Sequence, residues 1–207
     1  LPLRGGKGYQ WEGGIREPFV IKAPWLHIEG STNGTPVIGT DFYPTILDLA
    51  GLELKPEQHR DGVSLKPILE GHKIADRPLY WHYPHYGNQG GEPSSIIQDN
   101  GWKLIHYWED GRNELYNLAS DGSEQTDLAE SMPQIVRELR YKLDAWLSGM
   151  NAKLPVLDPE YDSKLAEKRH ENIVKELLPK KEEERLQLLS TNFSPDADWW
   201  GSKVTKD

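Results

Sequence analysis

The chain of 207 residues is long enough to bury one substantial core, or a core with a smaller satellite. Its net charge of −9 argues against a non-specific nucleic-acid binder, which needs a basic face. No segment approaches the roughly 20 consecutive apolar residues of a membrane-spanning helix, and the absence of cysteine excludes disulfides and thiolate metal sites within the chain. Because the sequence opens on Leu1 and runs at once into a glycine-rich turn, we expect Leu1 to be an internal position of a longer polypeptide.

Two elements are predicted between the glycine-rich start and residue 51. The largely apolar segment 19–25 is typical of a short strand that stops at Pro24. A helix is predicted to begin at Asp41 and to end at Gly51, because a capping residue stands at its start and glycine at its end. The apolar residues on its expected buried face are Tyr43, Ile46, Leu47 and Ala50.

An antiparallel sheet is predicted in the middle of the chain. Four short runs of β-prone residues, at 79–83, 95–98, 102–107 and 114–117, are separated by turn residues rich in Asn, Asp and Gly. Side chains alternate between the two faces of a strand. Trp102, Leu104 and His106 are therefore expected on one face, and Lys103, Ile105 and Tyr107 on the other.

A second helix is predicted after the sheet. Ser131 and Gln134 have the spacing of a capping box, and Pro133 suits a first helical turn. An apolar stripe at helical period, which we expect to lie across the sheet, is formed by Ile135, Val136, Leu139, Leu143, Trp146 and Leu147. The charged residues beyond Pro155 predict one more helix ending near Pro179, followed by a solvated run at 180–185.

Several blocks of sequence, taken in order, carry a family resemblance. The first is Arg4-Gly5-Gly6-Lys7-Gly8 followed by Glu12-Gly13-Gly14-Ile15-Arg16-Glu17-Pro18, and it is succeeded by the blocks at 40–51, 61–65, 77–86, 101–105 and 114–118. Together they resemble the C-terminal portion of the type I, formylglycine-dependent sulfatases, in particular the arylsulfatase A-like group. Any single block is weak evidence, but their order along two-thirds of the chain makes the resemblance specific.

Lys7 is the candidate catalytic residue. Glycines permit positive φ and a close approach of the backbone, so the Gly-Lys-Gly turn suits a lysine aimed at an anion. Hydrolysis of a sulfate ester needs charge stabilisation on the sulfate oxygens, which a fixed ammonium supplies. The resemblance implies that Lys7 is the sulfate-contacting lysine, whereas an isolated turn of this kind more often carries a solvated lysine. Glu12 and Arg16 are expected to form a buried pair that ties the turn to the strand.

His82, His85 and Asn88 are the candidate substrate-binding residues. They lie in an aromatic, glycine-rich segment, and the resemblance implies that this subdomain shapes the sugar-binding side of the cleft. A metal site is a poorer interpretation, because no carboxylate or third histidine has a compatible spacing. The alternative is a strand end whose aromatic side chains pack on a helix.

The cofactors implied by the resemblance are expected outside this chain. The formylglycine precursor motif, Cys/Ser-x-Pro/Ala-x-Arg, does not occur in the sequence. Calcium takes 6–8 oxygen ligands, and the family's Asp-Asp and Asp-Asn ligand pairs are expected upstream of Leu1.

The predicted fold is α/β: the C-terminal part of an alkaline-phosphatase-like sulfatase fold, with a small four-stranded antiparallel sheet plus helix subdomain. Residues 1–74 are expected to end the large catalytic domain, 75–152 to form the subdomain, and 153–207 to form a charged, partly helical tail. The missing N-terminal part of the same protein would supply the remaining machinery.

The predicted function is that of a C-terminal fragment of a sulfuric ester hydrolase, inactive by itself, that acts on a sulfated small molecule or glycan. The resemblance implies a periplasmic or secreted location. Two alternatives stay open: a phosphodiesterase or phosphonate hydrolase of the same superfamily, and a non-catalytic carbohydrate-binding module with an aromatic surface around Trp81, Tyr83 and Tyr86.

Overall fold

The computed structural model describes residues 3–26, 28, 30–87, 90–156 and 158–194. The chain divides into two compact units, Leu1–Val156 and Leu157–Asp207. The expected assignment of residues 1–74 to a larger catalytic domain depends on residues outside this chain and stays a prediction.

Short helices connected by irregular segments precede the sheet. They are α1 (Glu12–Ile15), a 3₁₀ turn (Pro24–Leu26), a second 3₁₀ turn (Gly39–Asp41), α2 (Phe42–Leu49) and α3 (Lys66–Leu69). The strand predicted at 19–25 is wrong: these residues are irregular up to the first 3₁₀ turn. A strand needs a neighbour to pair with, and no described residue pairs with this segment.

Helix α2 is where the sequence predicts it, but its buried face is not. Pro44 and Thr45 are buried, whereas Tyr43 and Ile46 are 42% and 64% exposed. The contacts that decide this are polar: the Thr45 hydroxyl donates to the main-chain oxygen of Asp41 at 2.6 Å and accepts the amide of Leu65 at 2.9 Å. The buried Asp41 carboxylate also pairs with Arg77 at 2.5 Å.

The four-stranded antiparallel sheet is confirmed, in the order β1-β2-β3-β4. Its strands are β1 (Leu79–Tyr83), β2 (Ser94–Asp99), β3 (Trp102–Tyr107) and β4 (Asn113–Asn117). Tight turns join β2 to β3 and β3 to β4, and Asn100 and Gly101 in the first of them have φ of 50° and 79°. This is the conformation that Asn-Gly hairpins favour.

The predicted helix after the sheet is also confirmed, as α4 (Pro133–Gly149). Leu139, Leu143 and Leu147 recur every four residues on one face, and they pack on Ile97 and Leu104 of the sheet. The capping box is wrong, because Met132 is the N-cap and has no side-chain cap; the Ser131 hydroxyl instead donates to the main-chain oxygen of Leu128 at 3.1 Å.

The opposite face of the sheet has a second cluster, formed by Ile96, Ile105, Tyr107 and Tyr116 and covered partly by Trp11 and Trp81. The predicted alternation along β3 is therefore correct. What covers this second face is the glycine-rich segment near the start of the chain. The sheet of the first unit is thus covered by α4 on one face and partly by Trp11, from the glycine-rich segment, on the other.

The described residues of the second unit, 158–194, contain α5 (Ser163–Asn172), a π-helical turn (Ile173–Leu177) and α6 (Leu178–Leu188). The predicted helix end at Pro179 is wrong, because Pro179 lies in the first turn of α6. The main-chain N–H that proline lacks is not needed for a hydrogen bond within the helix at this position. A single π turn before a proline lets the helix continue. The run at 180–185 is largely exposed, as predicted, and carries pairs such as Lys181 with Glu184 at 2.6 Å.

Candidate active-site loop on the sheet

The segment Arg4–Gly14, here called the lysine loop, closes on itself through main-chain hydrogen bonds. The amide of Tyr9 donates to the oxygen of Gly6 at 3.0 Å, and the amide of Gly13 donates to the oxygen of Arg4 at 2.8 Å. Gly8 has a φ of 94°, which L-residues rarely adopt. Lys7 lies between these closures, is exposed, and makes no hydrogen bond or ion pair with any residue that the structure describes.

The lysine loop touches the loop that follows β1. A Cβ on Gly91 would lie 2.2 Å from the main-chain oxygen of Gly8, so only glycine permits this approach. The side-chain amide of Gln10 donates to the oxygen of Glu92 at 2.6 Å. The lysine loop is therefore a neighbour of Gly91 and Glu92, in the loop that follows β1.

A buried ion network joins the lysine loop to the sheet. The ammonium of Lys103, on β3, lies 3.1 Å from Glu12 Oε1 and 2.9 Å from Glu124 Oε1. Glu124 Oε2 accepts the main-chain amide of Glu12 at 2.5 Å. Lys103 and Glu124 are both 0% exposed. Burial raises the pKa of Glu124, although the neighbouring Lys103 acts in the opposite direction.

A second set of contacts surrounds Arg4. Its guanidinium donates to the Tyr116 hydroxyl at 2.9 Å and to the main-chain oxygen of Glu124 at 3.0 Å, and it stacks 3.9 Å from the centre of the Trp11 ring. The Trp11 indole and the Tyr116 hydroxyl both donate to Glu114 Oε2, at 2.9 and 2.8 Å. Burial, and then the Glu114 charge, raise the pKa of Tyr116.

These contacts correct the expected pairing of Glu12 with Arg16. Glu12 is buried as expected, but its partner is Lys103, whereas Arg16 is exposed. The sequence did contain a signal for this network. Lys103 shares its strand face with Ile105 and Tyr107, and a lysine in an apolar row is buried only with a partner.

His82 has both ring nitrogens engaged. Nδ1 lies 2.7 Å from the Ser95 hydroxyl and Nε2 lies 2.9 Å from the main-chain oxygen of Lys153. The same Ser95 hydroxyl accepts the indole N–H of Trp108 at 2.9 Å. This bonding ties β1 to the segment after α4, so a substrate could bind His82 only in exchange for one of these contacts.

His85 is the more accessible of the two histidines. It is exposed and stands edge-on to the Tyr83 ring, with the ring centres 5.5 Å apart. Asn88 lies outside the described residues. The substrate-binding role of all three residues stays a prediction.

The residues that the structure describes offer neither a metal site nor a membrane-spanning helix. They contain no group of three or more His, Cys, Asp or Glu side chains able to hold a metal ion, so they do not fit the calcium that the resemblance implies. Every helix among them is too short or too polar to cross a lipid bilayer.

Comparison with known proteins defines the class. The relatives include a sulfatase of Formosa agariphila, 38% identical over 73% of this chain and 30% of its own length. Arylsulfatase K of Xenopus laevis is 30% identical over 64% of this chain and 26% of its own length. N-acetylglucosamine-6-O-sulfatase of Bacteroides thetaiotaomicron is 33% identical over 59% of this chain and 23% of its own length. The chain therefore spans less than a third of the length of these curated relatives.

The fold agrees with that class. The crystal structure of Ps i-CgsB superposes with a TM-score of 0.59 and 27% identity, covering 70% of this chain and 32% of that one. The fold is α/β, the C-terminal part of the alkaline-phosphatase-like sulfatase fold. The family model described as N-sulphoglucosamine sulphohydrolase, C-terminal, matches residues 6–149. The chain belongs to this family of C-terminal sulfatase domains.

Proposed function

We propose that this chain is the C-terminal portion of a sulfuric ester hydrolase, in which Lys7 contacts the sulfate group of the substrate. The lysine loop would present the Lys7 ammonium to the non-bridging sulfate oxygens, where negative charge must be stabilised during cleavage of the ester bond. His85 and Asn88, with His82 as a further candidate, would face the rest of the substrate.

One observation carries the proposal: an exposed lysine, without a partner among the described residues, stands on a loop that is held firmly at both ends. Because the loop that carries Lys7 is fixed, less reorganisation is needed when the ammonium binds an anion. The family membership of residues 6–149 supports the same chemistry.

The nucleophile and the calcium site are proposed to lie upstream of Leu1, as the resemblance implies. The formylglycine would supply the attacking oxygen, and calcium would bind the sulfate. The described residues of this chain contribute a cation and a substrate-facing surface. We also propose that the whole protein is periplasmic or secreted.

The proposed substrate is a sulfated carbohydrate, and more narrowly a sulfated glucosamine. The matching family model is named for N-sulphoglucosamine, and one relative is named for the 6-O-sulfate of N-acetylglucosamine. These names support the sugar and leave the position of the sulfate to experiment.

The experiment restores the upstream sequence and compares Lys7→Ala with Lys73→Ala, a second exposed lysine far from the lysine loop in sequence. Turnover of nitrophenyl sulfate, and of glucosamine sulfated on nitrogen or on O6, is measured beside bis-nitrophenyl phosphate. We expect Lys7→Ala to reduce kcat by about 10²- to 10³-fold, the effect of removing one oxyanion-stabilising donor. Lys73→Ala should keep the wild-type rate.

Three results would contradict the proposal. Turnover of Lys7→Ala within about threefold of wild type would remove Lys7 from the sulfate site. Faster cleavage of the phosphodiester than of any sulfate ester would favour a phosphodiesterase. Sugar binding with no cleavage of any ester would favour a carbohydrate-binding module.

A further inference from the structure

The ion network around Lys103 places a charged side chain in the interior: Lys103 is the second residue of β3, on the face that carries Ile105 and Tyr107, and lysine is almost never fully buried unless it is paired. Its side chain is 0% exposed, and its ammonium lies within 3.1 Å of two carboxylates. Both carboxylates, those of Glu12 and Glu124, come from segments outside the sheet. The network therefore joins three parts of the chain that are far apart in sequence.

Such a network is a costly way to stabilise a fold. Removing charges from water costs several kcal/mol per ion, and well-packed apolar residues of similar volume often stabilise a core equally well or better. What an ion network provides is defined geometry, since each charge must be close to its partner.

The ion network fixes the two ends of the lysine loop, at Arg4 and at Glu12 and Gly13. Glu12 is held twice, by its carboxylate against Lys103 and by its amide against Glu124 Oε2. The next amide, of Gly13, closes the loop on the oxygen of Arg4. Arg4 in turn donates to the main-chain oxygen of Glu124. Both ends of the loop thus converge on residues bonded to Lys103 or to Glu124.

We propose that Lys103 is a positioning residue of the sulfatase: together with Glu12 and Glu124, it fixes the lysine loop on the sheet and so sets the place of the Lys7 ammonium. The proposal rests on the proposed function of Lys7. Lys103 itself is buried under the loop and touches no substrate.

The first test uses the complete protein and needs no catalysis. Amide hydrogen exchange of Glu12 and Gly13, and tryptic cleavage after Lys7, are compared in Lys103→Met and in the control Lys142→Met. Lys142 is also ion-paired, with Asp99, but its side chain is 49% exposed. We expect exchange and cleavage to rise by about tenfold or more in Lys103→Met, the factor expected from losing one hydrogen bond to a charged group, and to stay unchanged in Lys142→Met.

If Lys103→Met does not fold, as judged by circular dichroism, Glu12→Gln decides the question. This variant keeps the shape of the side chain and leaves Lys103 paired one-to-one with Glu124. Faster exchange at Glu12 and Gly13, with the core amides of β3 still protected, supports the positioning role. Wild-type exchange at both amides in a folded variant overturns it.

The second test uses the complete enzyme and a double-mutant cycle. A misplacement of about 1 Å can reduce the rate by about 10²-fold, so kcat should fall by about 10- to 100-fold in Lys103→Met, and Lys103→Arg should restore part of it. If Lys103 acts only through Lys7, the double variant Lys7→Ala/Lys103→Met is no slower than Lys7→Ala alone. Losses that multiply in the double variant overturn the positioning role. If the wild-type protein cleaves no sulfate ester, the proposed function fails, while the exchange experiment still decides whether Lys103 fixes the loop.

Discussion

Substitution of Gly14 by alanine tests how tightly the lysine loop is built. A Cβ at this position would lie 2.0 Å from the main-chain oxygen of Tyr9 and 2.7 Å from that of Gly6. Both obstacles are backbone atoms, so no side-chain rotation relieves the contact. Gly6, in the same loop, is a matched control, because a Cβ there meets nothing within 4 Å and its φ lies outside the left-handed region.

The expected cost follows from the displacement that the new methyl group requires. Heavy atoms approach without strain to about 3.5 Å, so the Tyr9 carbonyl oxygen must move by about 1.5 Å. The residue before the substitution, Gly13, donates the hydrogen bond to Arg4 that closes the loop, and we expect the shift to break it. Overpacking costs about 1–3 kcal/mol and a lost hydrogen bond about 1 kcal/mol, against a gain of about 0.4–1 kcal/mol from the less flexible unfolded chain. We expect a net loss of about 1–3.5 kcal/mol for Gly14→Ala, and none for Gly6→Ala.

Urea unfolding followed by tryptophan fluorescence, together with exchange of the Glu12 amide, measures this difference. Trp11 reports on the loop because its indole donates to Glu114. If Gly14→Ala stays within about 0.5 kcal/mol of Gly6→Ala, and the Glu12 amide is equally protected in both, the loop is not held on the sheet as we describe.

Two further predictions concern the core and its response to pH. Leu143→Ala, at a side chain that is 0% exposed between α4 and the sheet, should lower the free energy of unfolding by about 2–5 kcal/mol in urea titrations, and the exposed Tyr141→Ala serves as its control. Burial, and then the Arg140 charge, lower the pKa of His106 below 6.5. As the pH falls, the unfolded chain therefore binds the proton before the folded chain does, and the free energy of unfolding decreases below about pH 6.5. His106→Gln should therefore lose less free energy of unfolding between pH 7.5 and pH 5 than wild type, and equal losses would exclude His106 as the cause.

The secondary structure of the sheet and of α4 could be predicted because local signals agreed with the tertiary contacts. Alternation along β3 separated Leu104 from Lys103, the Asn100-Gly101 turn set a hairpin, and leucines at helical spacing covered one face. The prediction of a strand at 19–25 was wrong because its apolar residues carry no information about a pairing partner, and these residues are irregular in the structure. The prediction of the buried face of α2 was wrong because Thr45 and Asp41 form buried hydrogen bonds that outweigh the apolar pattern.

The candidate site was only partly visible. Lys7, His82, His85 and Asn88 were proposed from sequence blocks, and their roles stay predictions. The structure adds that the lysine loop contacts the loop after β1 through Gly8 and Gly91. The pairing of Lys103 with Glu12 and Glu124 was missed. The lysine in the apolar row of β3 indicates a buried partner, but the two carboxylates that reach it are 112 positions apart and nothing in their local sequence marks them.

The sequence by itself determined the family, the positions of the four strands and the glycines that let the lysine loop turn, because these depend on residue types at short spacing. Only the tertiary structure decided which charges meet in the interior. A buried lysine is compatible with the fold once two carboxylates from distant segments reach it, and that meeting depends on how the loop, the sheet and residue 124 are brought together.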